Sequence, residues 1–345
     1  MSLRPATPAS TPLPPLPGWI PGRVTVLSGG VGGARFLGGV LELVGRHDAG
    51  TEVTVVANTG DDLWVHGLKV CPDLDTVMYT LGDGIDPERG WGRRGETWQA
   101  KDELAAYGVE PTWFGLGDKD LATHLVRTQL LDAGYPLSEV TAALCRRWEP
   151  GVRLLPMTDD RVETHVVIDD PESGERRAVH FQEYWVRHRA EVPAHQVVSI
   201  GADRAGPAPG VLEALTDTDV VLLAPSNPVV SIGSILAVPG IRAALQHTPA
   251  PVIGISGIIG GDHVHGMARQ LLDVIGVECS AAGVAEHYGA RPAGILDGWL
   301  VDAADAADLP RMRAAGIAAD AVPLYMTDPG TTAAMVAAAL QLVPR

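Results

Sequence analysis

The feature that most constrains this chain is a junction near its start. Residues 23–27 (RVTVL) form a short, β-branched apolar run that stops at once in Ser28-Gly29-Gly30-Val31-Gly32-Gly33-Ala34. An apolar run of that length, closed by glycines, reads as a buried strand. Apolar residues at helical spacing follow over 34–44, and residues 52–57 (EVTVVA) read as a second strand. Strand, glycine turn, helix, strand is a βαβ unit, which commits the chain to a parallel sheet with helices packed on it.

The same signals recur downstream. Residues 96–107, 118–131 and 137–148 read as helices, broken at GVEP and GYP. Residues 163–168 and 177–182 alternate around the turn DDPESGE and predict a hairpin. Strands are expected at 152–155, 197–200, 220–223, 252–255 and 295–301, and helices at 231–237, 241–246, 265–275, 281–288 and 327–342. The expected class is α/β: a Rossmann-like, mostly parallel sheet with helices on both faces and a helical plus β-hairpin insertion at about 83–190. Residues 23–345 form one domain in this reading. Residues 1–22, rich in Pro, Ser and Thr, form a tail outside it.

Composition narrows the partners. The net charge of −16 argues against nucleic acid or an anionic membrane as the main partner. No stretch has the length and purity of a membrane-spanning helix, and the first residues lack the apolar core of a signal peptide. Cys71, Cys145 and Cys279 match neither a zinc motif nor a disulfide framework, so a reducing cytoplasm is expected.

Two turns carry the chemistry. In the first, Gly29, Gly30, Gly32 and Gly33, followed by Ala34, let the backbone approach a ligand and present helix N–H groups to an anion. The spacing is neither G-x-G-x-x-G nor a P-loop, so it points to a nucleotide or phosphate without naming one. The second lies past the second strand, on the same sheet edge: Asn58-Thr59-Gly60-Asp61-Asp62, then Cys71-Pro72-Asp73-Leu74-Asp75-Thr76, which opens a helix at 76–81. Four aspartates within fifteen residues repel one another unless a cation or proton sits among them. Asp61, Asp62, Asp73 and Asp75 are therefore candidate ligands for Mg²⁺ bridging to phosphates. Helix capping is the competing use for Asp73.

Longer stretches carry a resemblance. SGGVGGARFL (28–37), ANTGDDLWVHGLKVCPDLDTVMYTLGDGIDPERGWG (57–92), LGDKDLATHLVRTQLL (116–131), LLPMTDDRVETHV (154–166), HFQEYWVRHRA (180–190) and LLAPSNPVVSIGSILAVPGIR (222–242) resemble the 2-phospho-L-lactate transferase family. The nearest likeness is to its actinobacterial branch, which transfers phosphoenolpyruvate in coenzyme F420 biosynthesis. The resemblance covers essentially the whole chain after the tail.

It implies a Mg²⁺-dependent homodimer acting on two substrates. The donor is enolpyruvyl-diphospho-5′-guanosine, or its lactyl analogue in archaeal relatives. The acceptor is the ribityl hydroxyl of the deazaflavin Fo, and GMP leaves. On this reading Asp75 and Asp62 are catalytic, with Asp75 nearest the acceptor hydroxyl. The nucleotide lies along Gly29–Ala34 and Asn58, faced by Ser226, Asn227 and Pro228. Trp64, His66, Asp75, Thr76, Asp118, Asp120, His124 and Arg127 bind substrate. Asp120, His124 and Arg127 share one helix face, where an exposed salt-bridged stripe is the alternative. Asp159, Asp160 and His165 are weaker candidates of the same kind. His263 and His265 have metal-like spacing but more often belong to a solvated loop. Gly257 stands where relatives often carry Pro, and no basic residue follows in 262–266. Two other functions compete: a non-enzymatic nucleotide-sugar-binding regulator of a sister group, and an NAD-dependent dehydrogenase. The missing G-x-G-x-x-G counts against the second.

Overall fold

The computed structural model describes residues 20–47, 50–264 and 267–343. The expected tail lies outside the described residues up to position 19, and so does His265.

Seven strands make one parallel sheet: β1 (Arg23–Ser28), β2 (Glu52–Ala57), β3 (Arg153–Pro156), β4 (Val220–Leu223), β5 (Val252–Ile255), β6 (Gly298–Val301) and β7 (Ala318–Ala321). Their spatial order is β7-β6-β5-β4-β1-β2-β3, and every neighbour pair is parallel. The chain winds outward from β1 to β3, then returns to the other side of β1 with β4. Strand order therefore reverses between β1 and β4, and the carboxyl ends there diverge into a crevice where such folds bind ligands.

Alternation along each strand divides the core into two layers, because successive side chains leave opposite faces. Leu27, Val56, Leu155, Val221 and Leu223 point into one layer, with the helices that follow β4 and β5. Val24, Val26, Val55, Leu154, Val220 and Leu222 point into the other. That second layer is covered by α1 (Gly30–Arg46), α2 (Pro72–Leu81), α3 (Leu137–Trp148) and α4 (Pro329–Gln341). The expected Rossmann-like sheet with helices on both faces is what forms.

Several boundaries differ from the sequence reading. α1 starts at Gly30, inside the glycine turn, so the glycines are its first turn and not a loop before it. α2 starts at Pro72, because proline suits the first helical position, where no N–H is needed. Asp73 and Asp75 consequently sit in a helical first turn. Residues 197–200 are not a strand of the main sheet. They end Ala194–Ile200, which pairs antiparallel with Glu163–Asp169; that strand in turn pairs with Arg176–His180. Periodicity shows that a segment is extended but not which sheet it joins. A two-stranded hairpin, Leu63–Val65 with Leu68–Val70, lies between the acidic segments and was not anticipated. Residues 83–190 include a strand of the main sheet, β3, between helical and hairpin segments.

Helix α1 packs closely on α4, and two neighbouring glycines show where. A Cβ on Gly39 would press on Thr332, whose carbonyl carbon would lie only 2.8 Å away, whereas one on Gly38 would meet nothing within 4 Å. Gly38→Ala should be neutral or stabilising by up to about 1 kcal/mol through helix propensity. Gly39→Ala should cost about 1–3 kcal/mol by overpacking. Paired urea melts check this; equal effects would contradict the close helix approach.

Candidate functional site

The site is assembled from the ends of β1, β2 and β4 and the first turn of α2. Ser226, just past β4, bridges the start of α1: its Oγ accepts from Gly29 N–H at 3.0 Å and donates to the Gly29 carbonyl at 2.7 Å. Glycine is required there by crowding. A Cβ on Gly29 would lie 2.7 Å from Asp73 Oδ2 and 2.8 Å from Ser231 Cβ. Gly30 needs a positive φ of 65°. Gly32 and Gly33 do a different job. A Cβ on Gly32 would lie 3.0 Å from the Pro225 carbonyl oxygen, and one on Gly33 would lie 2.7 Å from Ser226 Oγ and collide with Ser28. These two, with buried Ala34, let α1 press against the strand ends. Asn227 and Pro228 shape the turn: Asn227 Oδ1 accepts from the N–H groups of Val229 and Val230, and the Pro228 carbonyl accepts from Gly233.

The glycine turn and the acidic segments meet directly. The Asp73 carboxylate accepts from Asn58 Nδ2 at 2.9 Å and from the Gly30 N–H. Asn58 Oδ1 accepts from Gly60 N–H, closing the loop that presents Asp61. All four aspartates are buried, each at most 6% exposed, so their partners decide their charge. The structure divides them in two.

Asp62 and Asp75 each have a cation. Lys69 Nζ lies 3.3 Å from Asp62 Oδ2. Burial pushes the Lys69 ammonium down, but Asp62 and Cys71 together outweigh it and the net shift is upward. Asp75 is gripped at both oxygens by the fully buried Arg127, with Nη1 3.1 Å from Oδ2. Arg127 also meets His124 Nδ1 at 3.2 Å and the Lys69 carbonyl at 3.4 Å, tying both ion pairs together. His124 Nε2 lies 3.4 Å from Asp120, which accepts from Tyr79 Oη at 2.5 Å. Asp120, His124 and Arg127 are thus an internal strut, not an exposed stripe.

Asp61 and Asp73 have no cation among the described residues, and Asp61 Oδ1 has no hydrogen-bond partner at all. Burial, then Asp73, holds the Asp61 carboxyl well above its usual range. Burial pushes Asp73 up to about 6, against the hydrogen bonds from Asn58 and Gly30. Among the described residues, no three His, Cys, Asp or Glu side chains form a complete metal cage. Two carboxylates suffice for a hard divalent cation that keeps waters and shares substrate phosphates. The orphaned Asp61 oxygen beside Asp73 fits such an ion.

Other expected residues have their own partners or surroundings. Asp118 accepts from the N–H groups of Gln99 and Ala100 and from Thr97, so it anchors the Gln99–Ala106 helix. Asp159 likewise holds Ser138 at the start of α3, and Asp160 accepts from Gly206 N–H. Trp64 is exposed on the small hairpin, and His66 makes its turn with φ 51°. Thr76 is buried within α2. His263 pairs with Asp262. Gly257 packs behind Pro225, where a Cβ would lie 3.3 Å from its carbonyl oxygen. A cation does reach the following loop: Arg269 lies 3.6 Å from Asp262 and donates to the Gly261 carbonyl.

Sequence reasoning missed Lys69, Tyr79 and His180. Lys69 had a signal, being one of three lysines in the chain. His180 Nε2 donates to the Asp62 carbonyl at 3.2 Å, and burial pushes the ring down to about 4, so it stays neutral.

The comparisons agree on one family. The profile of 2-phospho-L-lactate transferase CofD matches residues 24–328. A phosphoenolpyruvate transferase of Nocardia farcinica is 64% identical over 322 residues, covering 93% of this chain and 94% of that protein. One of Streptomyces coelicolor is 62% identical over 320 residues, covering 93% and 98%. A solved UPF0052-family protein of Bacillus halodurans shares the fold at TM-score 0.58 and 16% identity, covering 94% of this chain and all of that one.

The unpaired carboxylates make a stability prediction. A carboxyl whose pKa is raised by folding makes the folded state bind more protons than the unfolded state between the unfolded and folded pKa values. Stability of metal-free protein should therefore fall as pH rises from about 4 through about 6. Asp61→Asn, which removes one charge, should raise the metal-free Tm at pH 7.5 by about 2 °C or more and abolish stabilisation by Mg²⁺. Calorimetry with and without the ion checks both; a lowered metal-free Tm would contradict the assignment.

Proposed function

We propose a reaction for this chain from one premise: it belongs to the 2-phospho-L-lactate transferase CofD family. The chain is an enzyme that transfers a phosphate-containing group. In our reading it moves the phosphoenolpyruvyl group from enolpyruvyl-diphospho-5′-guanosine to the ribityl hydroxyl of Fo. The products are dehydro-coenzyme F420-0 and GMP. The enolpyruvyl donor is preferred to the lactyl one because the most similar named relatives are phosphoenolpyruvate transferases. The observation that carries the reading is the contact of Asp73 with the first turn of α1 beside Asp61, whose Oδ1 has no hydrogen-bond partner and which has no cation among the described residues.

Such a transfer needs positioning and charge neutralisation more than covalent work by the protein. Asp61 and Asp73 would hold Mg²⁺, which when bound offsets charge on the diphosphate and the departing GMP. Gly29 and Gly30 N–H groups are already engaged by Ser226 and Asp73. Those of Val31 and Gly32, next in the helix, lack an i−4 helical partner and lie at the positive end of its dipole, which favours an anion. Ser226 fixes the direction of that turn. Arg127 and Lys69 neutralise Asp75 and Asp62, which keeps the site from repelling a polyanionic donor. This replaces the expectation that Asp75 contacts the acceptor: Asp75 positions α2. A homodimer in the cytoplasm belongs to the same reading. Three cysteines without disulfides and the lack of any helix long and apolar enough to cross a membrane, among the described residues, accord with it.

The test is to incubate the protein with Fo, Mg²⁺ and each chemically made donor, then weigh the deazaflavin. The enolpyruvyl donor should add its phosphoenolpyruvyl mass and release GMP, and chelation should stop it. No mass gain with either donor would overturn the proposal.

A further inference from the structure

The small antiparallel sheet brings a second set of ionisable groups to the acidic loop, and the reading so far gives them no role. Glu163–Asp169 is its central strand, and the sheet is stitched to the loop by Thr164 N–H, which donates to the Gly60 carbonyl at 2.6 Å. Side chains alternate along the strand. Thr164, Val166 and Ile168 face inward, while Glu163, His165 and Val167 lie half-buried on the outer face. His165 stands opposite His180 across the ladder, the rings edge to face with centroids 5.5 Å apart. His180 is the ring that donates to the Asp62 carbonyl. The outer face of this sheet therefore borders the acidic loop at His165, within one ring of Asp62.

His165 is arranged as a base. Its Nε2 lies 3.2 Å from Glu163 Oε2. An ionised carboxylate only accepts, so this contact puts the proton on Nε2 and leaves the Nδ1 lone pair free. Burial raises Glu163, but hydrogen bonds from His165 and Arg161 outweigh it and hold the group below its usual range. Nδ1 makes no hydrogen bond with any described residue. His180, by contrast, uses both nitrogens, accepting from Gln182 N–H at Nδ1 while donating at Nε2. Of the two rings, one is structural and one has a free acceptor.

We propose that His165, oriented by Glu163, is the catalytic base that takes the proton from the attacking alcohol. The inference rests on the transfer reaction proposed above. A bond forms between the acceptor oxygen and the phosphorus carrying the enolpyruvyl group. The bond from that phosphorus to the oxygen bridging to GMP breaks, and its electron pair leaves with GMP. The hydroxyl proton passes to Nδ1 and from there to solvent. Glu163 is a positioning residue that fixes the tautomer and stabilises the imidazolium, as an acid partner does for a histidine base elsewhere.

The test measures turnover against pH at saturating Mg²⁺ and donor. The charged and titratable groups around His165 are Glu163 on its own strand, with Arg161 bonded to that carboxylate, and His180 across the ladder, beyond which lie Lys69 and Asp62; Ala194–Ile200 offers Val198 opposite. Wild type should lose kcat toward acid as the ring gains its proton. His165→Asn should lower kcat about 100-fold, leave KM for donor and acceptor within about twofold, and lose the acid limb. GMP titration should show its nucleotide site intact. Glu163→Gln should lower kcat about tenfold with KM for both substrates within about twofold, because the ring loses the carboxylate that fixes its tautomer. His165→Asn with kcat within twofold of wild type, or an acid limb that neither variant changes, would overturn the proposal. A wild type that transfers nothing would instead overturn the reaction on which the proposal rests. If His165→Asn fails to fold, Glu163→Gln decides, and a kcat within twofold of wild type there would overturn the proposal.

Discussion

Asp61 and Asp73 stand side by side in the interior with no cation beside them among the described residues, and the rim of the sheet is organised around that pair. Two like charges out of water are costly, since desolvation alone penalises a buried ion by several kcal/mol. The chain offsets that cost at Asp75 with Arg127 and in part at Asp62 with Lys69, where burial still pushes the carboxyl up, and leaves it without a cation at Asp61 and Asp73. Asn58 and the Gly30 N–H hold Asp73 at the start of α1, where a helix favours an anion. In the proposed reading a divalent ion would relieve that cost. Such strain at a functional site is a common trade of stability for activity.

The fold brings these groups together by topology and not by sequence proximity. Gly29 follows β1, Asp61 follows β2, and Ser226 follows β4, three neighbouring strands at the point where strand order reverses. The glycines then divide the labour. Gly29 and Gly30 give Asp73 access to the helix end, while Gly32 and Gly33 let α1 lie flush on the strand ends. Arg127 arrives from a helix fifty-two residues beyond Asp75 and cross-links α2 to the strand bearing Lys69. That strut keeps Asp73, two residues before Asp75 in the same helical turn, aimed at Asp61.

Much of this was legible in the sequence, for reasons that differ by element. Val220–Leu223 and Val252–Ile255 match their expected limits because continuous apolar runs of that length are buried parallel strands. The glycine turn and the acidic segments were legible as a pair because both follow strands of one βαβ unit. What was hidden depends on distant contacts. Which aspartates are neutralised is decided by Lys69 and Arg127, and no local pattern states that pairing. Asp118 reads in the sequence as the start of its own helix, yet its carboxylate accepts from Gln99 and Ala100 at the start of an earlier one, a pairing no local pattern states. Residues 197–200 were legible as extended but not as part of the small sheet.

The central claim is that a divalent ion belongs to Asp61 and Asp73, while Asp62 and Asp75 keep their cationic partners. Anomalous diffraction from crystals soaked in Mn²⁺ with GMP, recorded at the manganese edge, locates the ion without reference to activity. The account requires a single peak within bonding distance of both Asp61 and Asp73, with the Arg127–Asp75 pair intact. A peak on Asp75 with Arg127 swung away, or no manganese at the α1 rim, would contradict it.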